Sequence, residues 1–146
     1  MDRKMKGITL IELIVVIAIL AIILGISIPN FNKWRKRISV EGDVKKIYSF
    51  IQLKRKEAFV KRQSYVIEAS GKQVCSKIGN VIDKCIELAN NFSGQMEITS
   101  KGVIKNTSQN RTISLDDDID SDYDCVKGHL VRVKMGKMEN GECKVK

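Results

Sequence analysis

The chain of 146 residues has only one proline, one tryptophan and one histidine. A lone histidine, His129, lacks the neighbours that a histidine-based metal site or general base would need. The four cysteines form no Cys-x-x-Cys pair, which argues against zinc. The length is that of about one domain, so a separate cofactor-binding domain is also unexpected. We therefore predict no metal, no cofactor and no catalytic residue, and a protein that is not an enzyme.

Charge is absent from residues 13–32, a run of 20 residues. Such a run is about the length that spans a bilayer as a helix. A secretory signal peptide is the alternative reading, because basic residues precede the run and a small-x-small triplet occupies residues 25–27. The run is long for such a signal, and Glu12 interrupts its start. We predict a chain tethered by one membrane-spanning helix.

Residues 6–12, Lys-Gly-Ile-Thr-Leu-Ile-Glu, resemble the processing site of type IV prepilins and pseudopilins. The resemblance implies that a prepilin peptidase cuts between Gly7 and Ile8 and that Ile8 is then N-methylated. It implies a single-pass protein of the inner (plasma) membrane with a periplasmic or extracytoplasmic head. It also implies that its partners are other pilins or pseudopilins and the inner-membrane assembly machinery. Ile8 replaces the usual phenylalanine, a departure that pseudopilins tolerate.

Glu12 places a carboxylate one turn into an apolar helix, where an unpaired charge is costly. After cleavage, the new amine of Ile8 would lie four residues away on the same helical face. We predict that Glu12 pairs with this amine in a monomer, or with that of an adjacent subunit, and so sets the register of assembly. Pro29 lacks an amide hydrogen and is predicted to bend or loosen the helix.

From residue 31 the helical pattern becomes amphipathic and is expected to end near Arg62. Apolar residues recur at helical spacing on one predicted face: Val40, Val44, Ile47, Ile51 and Ala58. Basic residues fill much of the remainder: Lys45, Lys46, Lys54, Arg55, Lys61 and Arg62. We expect these cations to form a solvated surface; a phosphate-binding stripe is the alternative.

After the helix, short β-rich runs are predicted at residues 65–67, 96–99, 112–115 and 129–135. Turns are predicted at Gly71, Gly94, Gly102, Gly136 and the Asn140-Gly141 pair. The fold class is therefore α+β: a long N-terminal helix packed on a small antiparallel sheet, as in pilins. The predicted organisation is a leader at 1–7, a membrane-spanning half-helix at 8–29, an amphipathic half-helix at 30–62 and a β-rich head at 63–146.

All four cysteines follow the apolar segment, which suggests disulfides in an oxidising compartment. Four cysteines allow three pairings. Cys75–Cys85 and Cys125–Cys143 are favoured, because each bond closes a local loop. The second bond would stabilise the head by roughly 3 kcal/mol on the loop-entropy estimate.

Residues 53–63, 97–102 and 130–137 resemble segments of GspH/FimT-type minor pilins. This resemblance implies a minor subunit of a type II secretion pseudopilus or type IV pilus, one that primes or caps the filament. A major pilin is the main alternative, since many close a C-terminal loop with a disulfide.

DNA uptake is a second alternative, because the net charge of +9 attracts phosphates. Some FimT-type relatives bind DNA through a Gly-Arg-x-Arg stretch near the C-terminus. Here the matching residues are Gly136-Lys137-Met138-Glu139, where an acid replaces the second cation. Lys137, Lys144 and Lys146 are the possible DNA contacts.

A dense acidic run occupies residues 116–124, with six aspartates. The alternation of Asp118, Asp120, Asp122 and Asp124 superficially resembles a calcium loop. The central glycine and distal glutamate of an EF-hand are absent. We expect a solvated, mobile loop, with calcium binding as the alternative.

Overall fold

The computed structural model describes residues 8–105 and 111–145, except for the side chains of residues 26–29. The chain forms two compact units, of which the first ends at Arg35 and the second begins at Lys36. The elements are α1 (Leu10–Lys61), β1 (Tyr65–Ile78), β2 (Val81–Ile98), β3 (Arg111–Leu115), β4 (Cys125–Gly128), β5 (Val133–Glu139) and β6 (Glu142–Val145). The six strands form one antiparallel sheet in chain order. The predicted α+β class, a long helix with a small antiparallel sheet, is confirmed.

Helix α1 is long and apolar enough to cross a membrane, with a mean hydropathy of 3.0 over its most apolar window of 18 residues. The large apolar side chains of this helix that the structure describes in the first unit are exposed, from 51% at Val15 to 77% at Leu10. Exposed apolar surface of this extent requires lipid or other helices around it.

The helical face predicted to be buried is buried in the second unit. Its five predicted members, from Val40 to Ala58, are each 0% exposed. They pack against apolar side chains of the sheet, among them Ile67, Phe92 and Ile113. Spacings of three, four and seven residues keep these positions on one side of the helix, which explains why the prediction succeeded.

The predicted solvated surface is wrong at one position. Lys54 is only 2% exposed, because it occupies the same stripe as Ile47, Ile51 and Ala58. The prediction sorted residues by charge, although the spacing of three and four places residue 54 on the buried face. A lysine at this place needs partners of opposite charge, and it has them.

The first two strands are much longer than predicted, and β4 and β6 were missed. Gly71 and Gly136 do not form turns but lie inside β1 and β5. Gly94, also predicted as a turn, lies inside β2 opposite Ile113. Gly94 has φ 129°, and a Cβ there would collide with the backbone of Thr112. Gly94 and Gly136 thus allow close approach of neighbouring strands, whereas Gly71 has a positive φ of 61° beside the register shift. The turn predictions at Gly102 and at Asn140-Gly141 agree with the structure.

The predicted strand at residues 129–135 begins too early. Residues 129–132 form a tight turn, in which His129 and Arg132 exchange backbone hydrogen bonds of 2.6 and 3.0 Å. The strand begins at Val133. Leu130 and Val131 therefore project from a turn, where they are 52% and 70% exposed.

The hairpin of β1 and β2 is broken into two parts. The register shifts between Gly71 and Gln73, and residues 88–91 of β2 lie between the two ladders. We call the outer part of the hairpin, residues 73–87, the arm.

Two contacts show where the broken hairpin meets the helix. Near the break, a carboxylate oxygen of Asp43 accepts a hydrogen bond of 2.9 Å from the backbone N–H of Asn90. In the arm, Asp83 lies 2.6 Å from Lys54, eleven residues farther along the helix. As β2 runs from residue 83 to residue 90, it therefore runs back along the helix, and the arm folds over the helix surface.

Candidate functional site

The start of helix α1 is closed by hydrogen bonds between Thr9 and Glu12. The Thr9 hydroxyl accepts from the backbone N–H of Glu12 at 3.4 Å. A carboxylate oxygen of Glu12 accepts from the backbone N–H of Thr9 at 3.1 Å and from its hydroxyl at 3.1 Å. This arrangement is a capping box, which satisfies two backbone donors that the helix leaves unpaired.

Glu12 therefore has a local partner that the sequence prediction missed. The pattern Thr-x-x-Glu before an apolar run is a recognised helix-start signal and could have revealed it. The predicted partner was the amine of Ile8, which in this chain is joined to Gly7 by a peptide bond. Ile8 is 80% exposed at the position just before the cap. The pairing of Glu12 with an amine thus stays a prediction about the cleaved chain.

Three predicted site residues lie outside what the structure describes. Gly7 and Lys146 belong to the ends of the chain that the structure does not describe. The side chain of Pro29 is one of the four, at residues 26–29, that are not described either. Cleavage after Gly7 and a bend at Pro29 therefore stay predictions.

The two described lysines that were considered for DNA contact are already held by carboxylates. Lys137 lies 2.6 Å from Asp120, and Lys144 lies 2.7 Å from Glu139. These hydrogen bonds raise the pKa of each lysine above its usual value. Phosphate groups would have to compete with carboxylates that already hold both cations.

The aspartates of the acidic run turn towards separate partners rather than towards a common centre. The hydrogen bond from Lys137 lowers the pKa of Asp120. Asp122 lies 2.6 Å from Arg37 of the helix, and Asp124 accepts a hydrogen bond of 2.6 Å from a backbone N–H of β5. Within the described part of the chain, no three metal-ligating side chains gather in one place. The run is anchored to the helix and to β5.

Lys54 is the centre of a buried polar cluster. Its ammonium group lies 2.8 Å from Glu57 and 2.6 Å from Asp83. It also lies over the rings of Phe50 and Tyr65, at 5.8 and 5.2 Å from their centroids. Two carboxylates and two aromatic faces thus compensate for the burial of this cation.

The pKa values of the cluster follow from these contacts. Burial by itself lowers the pKa of Lys54, but the hydrogen bonds to Asp83 and Glu57 outweigh burial and raise it. The hydrogen bond from Lys54 lowers the pKa of Asp83, which also accepts a hydrogen bond of 3.0 Å from Ser76. The ion pair therefore fixes the arm to the helix while both groups are charged.

Both favoured cysteine pairs form disulfides in the structure. Cys75–Cys85 joins the two strands of the arm, and Cys125–Cys143 joins β4 to β6. No free cysteine is present in the described part of the chain.

The comparisons with known proteins agree with the N-terminal geometry. A family model described as "Prokaryotic N-terminal methylation motif" matches residues 2–28. This motif is of the kind that type IV prepilins carry, and it points to a structural subunit rather than an enzyme. Neither the curated proteins nor the solved structures contain a match to this chain.

Proposed function

We propose that this protein is a filament subunit of the type IV pilin and pseudopilin class. In this proposal prepilin peptidase cleaves it between Gly7 and Ile8, Ile8 is methylated, and the subunit enters a filament from the inner membrane. The observation that supports it most is the methylation motif over residues 2–28, which continues into a helix able to span a membrane.

Glu12 explains how such a subunit could wait in the membrane and then assemble. In the uncleaved chain its carboxylate closes the helix start through Thr9. Cleavage adds a cationic amine at Ile8, one helical turn away. The same carboxylate can then exchange its local partner for the amine of a neighbouring subunit. Surrounding apolar side chains make an unpaired charge costly, which favours the paired arrangement.

The finer assignment is to a minor subunit of a type II secretion pseudopilus or type IV pilus. It rests on the resemblance of residues 53–63, 97–102 and 130–137 to GspH/FimT-type minor pilins. A major pilin is the second candidate, because the Cys125–Cys143 bond closes the C-terminal strands as in many major pilins. DNA uptake has less support, because Lys137 and Lys144 are already in ion pairs.

The proposal is tested by the N-terminus of the mature protein. Mass spectrometry of the membrane-extracted chain, from a host with prepilin peptidase, should show an N-terminus at Ile8 that carries one methyl group. Gly7→Val should abolish cleavage, because a bulky residue then precedes the cut. Gly25→Val is the matched control: apart from the backbone of its own helix, no described atom beyond its chain neighbours lies within 4 Å of a Cβ built there, and cleavage should be unchanged. A mature N-terminus at Ile28 would show ordinary signal-peptidase cleavage and reject the proposal.

A further inference from the structure

The two disulfides differ in how far they are open to solvent. Cys125 and Cys143 are 0% and 3% exposed. In the Cys75–Cys85 bond, which we call the arm bond, Cys85 is exposed and Cys75 is half-buried. A reagent in solution can therefore reach the arm bond in the folded chain. The bond between β4 and β6 becomes reachable only when that part of the sheet opens.

The arm bond lies on the outer face of the arm. Successive side chains of a strand point to opposite faces. Val74 and Ser76 are both buried. The Ser76 hydroxyl donates to Asp83, which pairs with Lys54 of helix α1. Cys75 lies between these two buried residues in β1, so its side chain points away from the helix and towards solvent.

The pairing of the strands places the two sulfur atoms side by side even without the bond. Cys75 and Cys85 are direct partners in the ladder of β1 and β2, with paired residues on either side. The ion pair of Lys54 with Asp83 fixes the arm to the helix independently of the bond. Reduction should therefore leave the arm folded and both thiols in place, so that the bond can form again.

A carboxylate lies beside the arm bond on the same face. Glu87 is exposed and pairs with Gln73, two positions along the ladder from the two cysteines. Two positions along a strand correspond to about 7 Å. Because the attacking form of a thiol is the anionic thiolate, Glu87 should slow its approach to the arm bond.

We propose that the arm bond is a thiol–disulfide exchange site that takes a dithiol, whereas the Cys125–Cys143 bond is permanent. A thiolate of the dithiol attacks the sulfur of Cys85, the more exposed of the two. A new S–S bond forms, the arm bond breaks, and Cys75 leaves as a thiolate that takes a proton from water. The second thiolate of the dithiol then attacks the dithiol's own sulfur in the mixed disulfide and releases Cys85. The dithiol loses two electrons and two protons, and the chain gains two of each.

Differential alkylation of the full-length, detergent-solubilised chain tests this proposal, and the assay needs neither leader cleavage nor filaments. After timed exposure of the folded chain to dithiothreitol, free thiols are alkylated and mass spectrometry assigns the labels to each cysteine. Cys75 and Cys85 should be labelled about tenfold faster than Cys125 and Cys143. Removal of dithiothreitol in air should restore the arm bond. Equal rates for the two pairs, faster labelling of the second pair, or an arm bond that does not form again would overturn the proposal.

Reversal of the nearby charge adds a measurement that exposure alone would not change. Glu87→Lys should speed reduction of the arm bond about threefold, because a cation then attracts the attacking thiolate. Asp117→Lys makes the same change of charge in the exposed acidic run, outside the arm, and should leave the rate unchanged. An unchanged rate in Glu87→Lys would contradict attack from the outer face of the arm.

Discussion

The side chains around Lys54 compensate for the burial of its positive charge in the interior of this protein. Two carboxylates and two aromatic rings surround the ammonium group. One polar atom of the cluster is left over: the Tyr65 hydroxyl is buried, and no described protein group is hydrogen-bonded to it. A buried hydroxyl without a partner opposes folding. The ring of Tyr65, and not its oxygen, therefore accounts for what this residue adds to the free energy of unfolding.

Tyr65→Phe should therefore leave the free energy of unfolding unchanged or raise it by up to about 1 kcal/mol. Tyr65→Ala should lower it by about 3–5 kcal/mol, because the ring and its contact with Lys54 are both lost. Chemical denaturation of the detergent-solubilised chain would measure both changes. A loss above about 1 kcal/mol for Tyr65→Phe would show that the hydroxyl makes a favourable interaction.

Among the strands, the arm is the element whose position depends most on a few polar contacts. Asp43 holds the break in the hairpin through the backbone of Ala89 and Asn90, and Lys54 holds the arm through Asp83. The Cys75–Cys85 bond keeps the two arm strands in register beside this contact. Loss of the ion pair should therefore release the arm from the helix before it disrupts the sheet.

Asp83→Asn should lower the free energy of unfolding by about 1–2 kcal/mol at pH 7, a moderate loss because the Asp83 side chain is 25% exposed. Asp117→Asn, in the exposed acidic run, is the control and should have no measurable effect. Hydrogen exchange should show faster exchange in the arm of Asp83→Asn than in β5.

The same pair predicts a dependence on pH. Because the pKa of Asp83 is lowered on folding, its stabilisation is present above the ordinary value near 3.9 and is lost as pH falls through the lower folded value. Because the pKa of Lys54 is raised, its contribution is lost only as pH rises above about 10.4. The stability difference between wild type and Asp83→Asn should therefore shrink progressively as pH falls below about 3.9. A difference that stays constant as pH falls would contradict the ion-pair assignment.

Periodicity predicted the helix and its buried face, because those depend on neighbours three and four residues apart. It could not predict the break in the hairpin, since that depends on Asp43 meeting Asn90, 47 residues later. Gly94 was interpreted as a turn for the same reason, because only the pairing of β2 with β3 shows why it is glycine. Two other features could have been predicted from the sequence. The spacing of Lys54 predicts that it is buried, and the Thr-x-x-Glu pattern predicts the cap formed by Thr9 and Glu12.

For the chain as a whole, the capped start of helix α1 is the surface that bears most directly on assembly. It supplies the carboxylate of Glu12, which the uncleaved chain holds through Thr9. In the proposed filament this carboxylate selects a processed neighbour, because only cleavage creates the amine with which it can pair.

Substitutions of Glu12 separate its two roles. Glu12→Gln keeps an acceptor for the Thr9 backbone N–H and removes the charge, whereas Glu12→Ala removes both. Leader cleavage should survive in both variants. If charge pairing drives assembly, both should enter filaments about 100-fold less than wild type, which corresponds to about 3 kcal/mol for a broken buried pair.

Immunoblotting of sheared filaments, with the membrane fraction as reference, measures this entry. Wild-type entry by Glu12→Gln together with failure of Glu12→Ala would show that the helix cap, not the charge, is needed.

The two disulfides also decide how far a pulled subunit could stretch. They join cysteines that lie 10 and 18 positions apart in the sequence, Cys75 with Cys85 and Cys125 with Cys143. An extended chain spans about 3.4 Å per residue, so the two bonds withhold roughly 95 Å of contour length from any tension applied to the chain. Even if the strands separated under load, these segments could not lengthen. The bonds thus act as a limit on extension, which neither hydrogen bonds nor apolar packing can impose.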